Sequence, residues 1–97
     1  MITLEDLQTT YREQILALAA KHGAENIRVF GSVARGDQGE QSDLDLLYSF
    51  TPPNGLWETC GMQVELEELL EVPVDFISEH YLRPEFKPYV LEEAVPL

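Results

Sequence analysis

The stretch "FGSVARGDQGEQSDLDLLY", residues Phe30–Tyr48, decides how the rest of this chain is read. A Gly-Ser pair directly follows one short apolar run, and two Asp residues one position apart open the next. Side chains two apart on a strand share a face. Asp43 and Asp45 therefore project together, with Cα atoms about 6.5–7 Å apart, while Leu44 and Leu46 turn into the core. Adjacent carboxylates repel, and burying them without a partner costs free energy. A hard dication between them removes that cost. Mg2+ suits such a place, because it takes a few carboxylates, several waters and substrate phosphate oxygens. Two such ions, about 3.5–4 Å apart, clamp an in-line phosphoryl or nucleotidyl transfer.

That scheme calls for a third carboxylate. "VPVDFI" (Val72–Ile77) reads as a strand in which Asp75 and Ile77 share one face and Val74 and Phe76 the other. Asp75 is the expected third ligand, and it could also take the proton of the attacking hydroxyl. Gly31 and Ser32, at the end of a strand, suit a phosphate cradle: glycine admits close backbone approach, and the hydroxyl and helix-start N–H groups donate to phosphate. Arg35 is a candidate phosphate partner through its planar guanidinium. Each piece alone is weak, since most Asp-x-Asp pairs are solvated strand-edge or loop residues. Gly-Ser, ten residues, then Asp-x-Asp is a far rarer combination, expected by chance in roughly one chain per thousand of this length from average residue usage.

Outward from this motif, the spacing of Leu4, Leu7, Tyr11, Ile15 and Leu18 predicts one helix from Thr3 to a stop at Gly23, with Asp6 completing a near capping box. "IRVF" (Ile27–Phe30) reads as the first strand and Asp43–Phe50 as the second. "DQGEQS" is a polar loop and "TPPNG" (Thr51–Gly55) is turn chemistry. Leu56–Leu70 reads as helix, with Trp57, Cys60 and Val64 on one side and Met62, Leu66 and Leu69 near them; Gly61 weakens it. A short last helix follows Pro84, with Phe86, Val90 and Ala94 in line. The order is helix, two strands, helix, strand, helix, an α/β (α+β) fold with a small sheet covered by helices.

The bulk numbers agree. Ninety-seven residues make one domain, 1–97, and 44% apolar content fits a folded globule. No apolar run approaches the ~20 residues of a membrane span, and no signal peptide is recognisable, so no membrane association is expected. A lone cysteine, Cys60, excludes a disulfide framework within the chain; it is expected as a small core filler in a protein of the cytoplasm. Eighteen acidic against six basic residues give a net charge of -12. That argues against direct nucleic-acid binding, which relies on Lys and Arg, and favours cationic partners, although such acidity also serves solubility. His22 reads as a helix-terminus residue and His80 as a loop residue. Trp57 and the tyrosines read as core and interface material, and Glu65, Glu67, Glu68 and Glu71 as a solvated helix face or a docking surface. Arg28 alternates with core positions and either faces the cleft or serves the strand.

"GSVARGDQGEQSDLDLL" resembles the Gly-Ser-x-Ala-Arg-Gly…Ser-Asp-x-Asp-Leu pattern of the minimal nucleotidyltransferases in the DNA polymerase beta-like superfamily. "VPVDFI" is similar to that family's third-acid strand, and "LRPEFKPYVLEEAVPL" to its usual C-terminal ending. Within the family the chain resembles the MntA-type antitoxins of type VII toxin–antitoxin pairs, whose partner is a HEPN-domain ribonuclease toxin, HepT. The resemblance implies a Mg2+-dependent protein adenylyltransferase that moves AMP from ATP onto a tyrosine of a basic toxin, in a hetero-oligomer with it. Position by position, it implies that Asp43 and Asp45 are catalytic and hold Mg2+, that Asp75 is the third metal ligand, and that Gly31 and Ser32 contact the nucleotide. Arg35 fits the same pattern. No catalytic position is missing. A non-catalytic antitoxin that only occupies its toxin, and an enzyme acting on a small molecule, are the alternatives. The second is disfavoured because 97 residues leave no room for an added acceptor-gripping domain.

Overall fold

A computed structural model describes residues 2–37, 39, 43–50 and 56–97 of the chain. The elements in order are α1 (Leu4–Gln8), α2 (Arg12–His22), β1 (Ala24–Phe30), α3 (Gly31–Arg35), β2 (Leu44–Phe50), α4 (Leu56–Leu70), β3 (Val74–Ser78), a 3-10 turn (Glu79–Tyr81), α5 (Lys87–Glu93) and β4 (Val95–Pro96). The expected loop at Thr51–Gly55 lies outside the described residues, as does most of the "DQGEQS" loop.

The four strands form one mixed sheet in the order β3-β2-β1-β4. β1 runs antiparallel to β2 and to β4, whereas β2 and β3 are parallel and joined through α4. Alternation sorts the residues. Ile27 and Val29 of β1, Leu44, Leu46 and Tyr48 of β2, and Val74 and Phe76 of β3 join Leu7, Ile15, Ala19, Met62, Leu66 and Leu70 in a single core between sheet and helices. Tyr48 and Phe76 stack there in parallel, with ring centroids 4.1 Å apart. Helices thus cover one sheet face. The other carries Arg28 and Phe30, Asp45 and Leu47, and Asp75 and Ile77, which alternate with the core residues on the same strands.

Several expectations are corrected. The N-terminal helix is broken at residues 9–11. The capping box forms as read, with Thr3 and Asp6 exchanging hydrogen bonds, but the Thr9 hydroxyl donates to the Glu5 carbonyl at 2.7 Å and ends α1. β1 begins at Ala24 rather than Ile27, because it continues through an irregularity at Asn26, whose φ of 55° is a conformation Asn tolerates. Cys60 is exposed instead of core, and so is Val64; α4 buries Met62, Leu66 and Leu70. The side chain of Trp57 lies outside the described residues. Gly61 has a packing reason: a Cβ there would approach the His22 ring at 3.2 Å, so glycine lets α4 lie against the end of α2. Glu67 is not merely solvated, since its carboxylate accepts the Val74 N–H at 3.1 Å and ties α4 to the start of β3. β4, a two-residue edge strand, had no sequence signal.

Candidate active site

Two backbone joints gather the acids. The Leu44 N–H donates to the Pro73 carbonyl at 2.9 Å, which locks the start of β2 to the start of β3. From there the parallel register sets Asp45 directly opposite Asp75. Directly opposed residues on neighbouring strands sit about 4.8 Å apart, so both carboxyl groups leave the open sheet face at one point. The two carboxyl groups are close enough to act on each other. Asp43, exposed at the entry to β2, lies close enough for its charge to act on Asp45. Burial, then the charge and hydrogen bond of Asp75, then Asp43 and Glu93, push the Asp45 carboxyl up from 3.8 to about 6. Burial is the largest of these causes, and the neighbouring negative charges add to it.

The Gly-Ser bend closes on the same point. Phe30, the last residue of β1, pairs with Asp45, so Gly31 opens α3 beside that carboxylate. Gly31 has φ +76° and a methyl group on its Cα would overlap the Asp45 carboxylate, with Cγ at 3.1 Å. Both facts demand glycine. Ser32 follows, half-buried, in the first turn of α3, and Val33 anchors that turn in the core. Three of the residues singled out from sequence, Gly31, Asp45 and Asp75, thus meet at one corner, with Asp43 and Ser32 on its rim.

Arg35 is placed differently from a free phosphate clamp. Its guanidinium donates to Asp37 at 3.1 Å and to Glu93 at 2.8 Å, which straps α3 to α5 beside the acids. Arg28 is buried at 8% exposure on the same sheet face as Asp45, but two residues further along the strands. It is ion-paired with Glu79 at 3.4 Å, and its Nε donates to the Asn26 carbonyl at 3.0 Å. Ser49 donates to the same Glu79 carboxylate at 3.1 Å. Glu79 is held below the ordinary glutamate range by the Arg28 hydrogen bonds. Glu93 is the site residue that sequence reasoning missed. Its partner stands 58 positions away, and no local pattern signals a pairing of that span.

Among the described residues no three His, Cys, Asp or Glu side chains are gathered closely enough to hold a metal ion unaided. The donor set nonetheless fits a hard dication completed by substrate. Asp45 and Asp75 are oxygen donors opposed at one point, where a cation would offset their negative charge, and Mg2+ ordinarily draws its remaining ligands from phosphate and water.

The nucleotidyltransferase domain family matches residues 11–97 of this chain, which includes every residue of that corner. The chain belongs to the nucleotidyltransferase family. The protein adenylyltransferase MntA of Thermococcus cleftensis is 33% identical over 95 residues, covering 98% of this chain and 96% of that protein. A solved structure described as a candidate minimal nucleotidyltransferase superposes with a TM-score of 0.87 at 48% identity, covering 99% of this chain and 97% of the other. A crystal structure of a toxin–antitoxin assembly with AMP-PNP shares the fold, with a TM-score of 0.75 at 19% identity over 87% of this chain and 69% of that one. This minimal nucleotidyltransferase therefore carries the mixed sheet and the helix layer expected from its sequence, with the acids on the face opposite that layer. Among the described residues no helix is long and apolar enough to cross a membrane.

Proposed function

We propose that this nucleotidyltransferase is the antitoxin of a toxin–antitoxin pair and inactivates its partner, a HEPN ribonuclease, by transferring AMP from ATP to a tyrosine of that partner. The observation that carries this reading is the meeting of Asp45 and Asp75 against the Gly31 backbone on the sheet face opposite the helix layer. The similarity to MntA supports the adenylyl donor, and the shared fold with a toxin–antitoxin assembly supports the class of acceptor.

Asp43, Asp45 and Asp75 would hold Mg2+, which supplies charge neutralisation to the triphosphate and its leaving diphosphate. Gly31 lets the phosphates approach the backbone, and Ser32 donates its hydroxyl to them. Asp75, the more exposed of the opposed pair, accepts the proton of the attacking phenol. The phenolic oxygen bonds to the α-phosphorus, the bond to the β-phosphate bridge breaks, and diphosphate departs. Arg35, strapped by Glu93, keeps α3 and therefore the Gly-Ser bend in register with the acids.

Intact mass spectrometry of the toxin after incubation with the chain, Mg2+ and each of the four NTPs tests the proposal. One or more AMP additions with ATP are expected. Asp43→Asn with Asp45→Asn separates the non-catalytic alternative: if that variant still silences the toxin fully at one-to-one stoichiometry, occupation suffices and transfer is not the mechanism.

A further inference from the structure

Five large hydrophobic side chains stand exposed among the described residues, and four of them, Tyr81, Phe86, Tyr89 and Leu91, fall between residues 81 and 91. Phe86 caps α5 and Tyr89 follows three residues later, so these rings lie on one side of that helix, 55% and 73% exposed. Tyr81 stands 71% exposed at the end of the preceding 3-10 turn. Exposed aromatic side chains gathered on one segment are of the type that anchors partners at interfaces.

The segment that carries them is a fixed platform. Glu79 pins its start to the buried Arg28, and Glu93 pins its end to Arg35, where its charge reaches Asp45. Residues 79–93 therefore lead from the Arg28 pair to the acidic corner. Charge selects the occupant. The chain carries -12 overall, whereas within residues 79–93 Arg83 and Lys87 balance Glu85 and Glu92, and Glu79 and Glu93 are paired with Arg28 and Arg35. A near-neutral aromatic patch inside an acidic surface fits a partner that is apolar at its centre and rimmed by Lys and Arg. Rim cations then meet the surrounding carboxylates and the ring faces.

We infer that Tyr81, Phe86 and Tyr89 are the docking surface for the acceptor protein, a partner with an apolar centre and a basic rim, and that α5 delivers its hydroxyl to Asp45 and Asp75. The inference rests on the proposed adenylyl transfer. The test compares the full-length chain with its Phe86→Ser, Tyr89→Ser variant. Calorimetry measures affinity for the toxin, intact mass follows transfer, and binding of a non-hydrolysable ATP analogue reports an intact site. At least tenfold weaker toxin binding and a correspondingly higher KM for toxin are expected, with nucleotide affinity unchanged. Val64→Ser, an exposed apolar position on α4, should leave both as in the wild type. Unaltered toxin affinity in the double variant overturns the docking surface while leaving the transfer reaction standing. So does sedimentation showing that the wild-type chain self-associates through these rings. A wild-type chain that binds toxin without modifying it refutes the transfer instead, and the binding comparison still decides the surface. A wild-type chain that does not bind toxin overturns both.

Discussion

Asp45→Asn should stabilise the metal-free chain at neutral pH while destroying its activity. In the folded protein the Asp45 carboxyl sits at about 6 against an ordinary 3.8, so the native state holds its proton more tightly than the unfolded state does. Stability must then fall as pH rises from about 4 to about 6, and the whole cost is present at pH 7. At about 1.36 kcal/mol per pH unit the displacement corresponds to ~3 kcal/mol, and partial exposure to solvent reduces this to ~1–2 kcal/mol. Asparagine removes the charge and can donate its amide to Asp75. For a domain of this size such a gain raises Tm by about 5–10 °C. Thermal denaturation in EDTA, wild type against variant, reads the difference directly. It should be present at pH 7.5 and shrink towards zero below about pH 3, where Asp45 is protonated in both states, and comparing the two proteins cancels the titrating groups remote from Asp45. A variant no more stable than wild type at pH 7.5, or a difference that ignores pH, would refute the burial and crowding of charge on which the site is built.

Gly31→Ala should cost ~2–4 kcal/mol in denaturant unfolding and abolish transfer, because the new methyl overlaps Asp45 at a left-handed backbone. Gly36→Ala has a similar φ of +79° but nothing within 4 Å, so it should cost only about 1–2 kcal/mol and keep activity. Glu79→Ala leaves the buried Arg28 guanidinium without its carboxylate and should lower stability by ~2 kcal/mol, as read by chemical denaturation. Its loss should matter less as pH falls, since the Arg28-stabilised Glu79 carboxylate contributes above its ordinary pKa and is lost as pH drops through its depressed one. Glu67→Ala removes the acceptor for the Val74 N–H and should cost about 1 kcal/mol with transfer intact.

The acidic corner was legible because its pieces obey short-range rules. Strand alternation put Asp45 opposite Leu44 and Leu46, and an Asp between Val74 and Phe76 announced a second acid on the same open face. What alternation cannot give is register. That Asp45 faces Asp75, and not a neighbour two residues on, depends on the Leu44–Pro73 hydrogen bond across 29 positions. Arg35 shows the same limit: its motif position was visible, but its two carboxylate partners come from the following loop and from α5. Cys60 was misread because residue type stood in for position, and α4 rolls Met62 and Leu66 inward instead. The break at residues 9–11 escaped because the apolar spacing runs straight through it, while the side chain that ends α1 is Thr9, which periodicity does not weigh.

The site itself is tested most directly by calorimetry of a non-hydrolysable ATP analogue titrated with and without Mg2+, on wild type, Asp45→Asn and Asp75→Asn. Mg2+-dependent binding by the wild type, weakened at least a hundredfold in each variant, is the predicted result. Equal affinity in EDTA, or variants that bind Mg2+ and nucleotide as the wild type does, would contradict it.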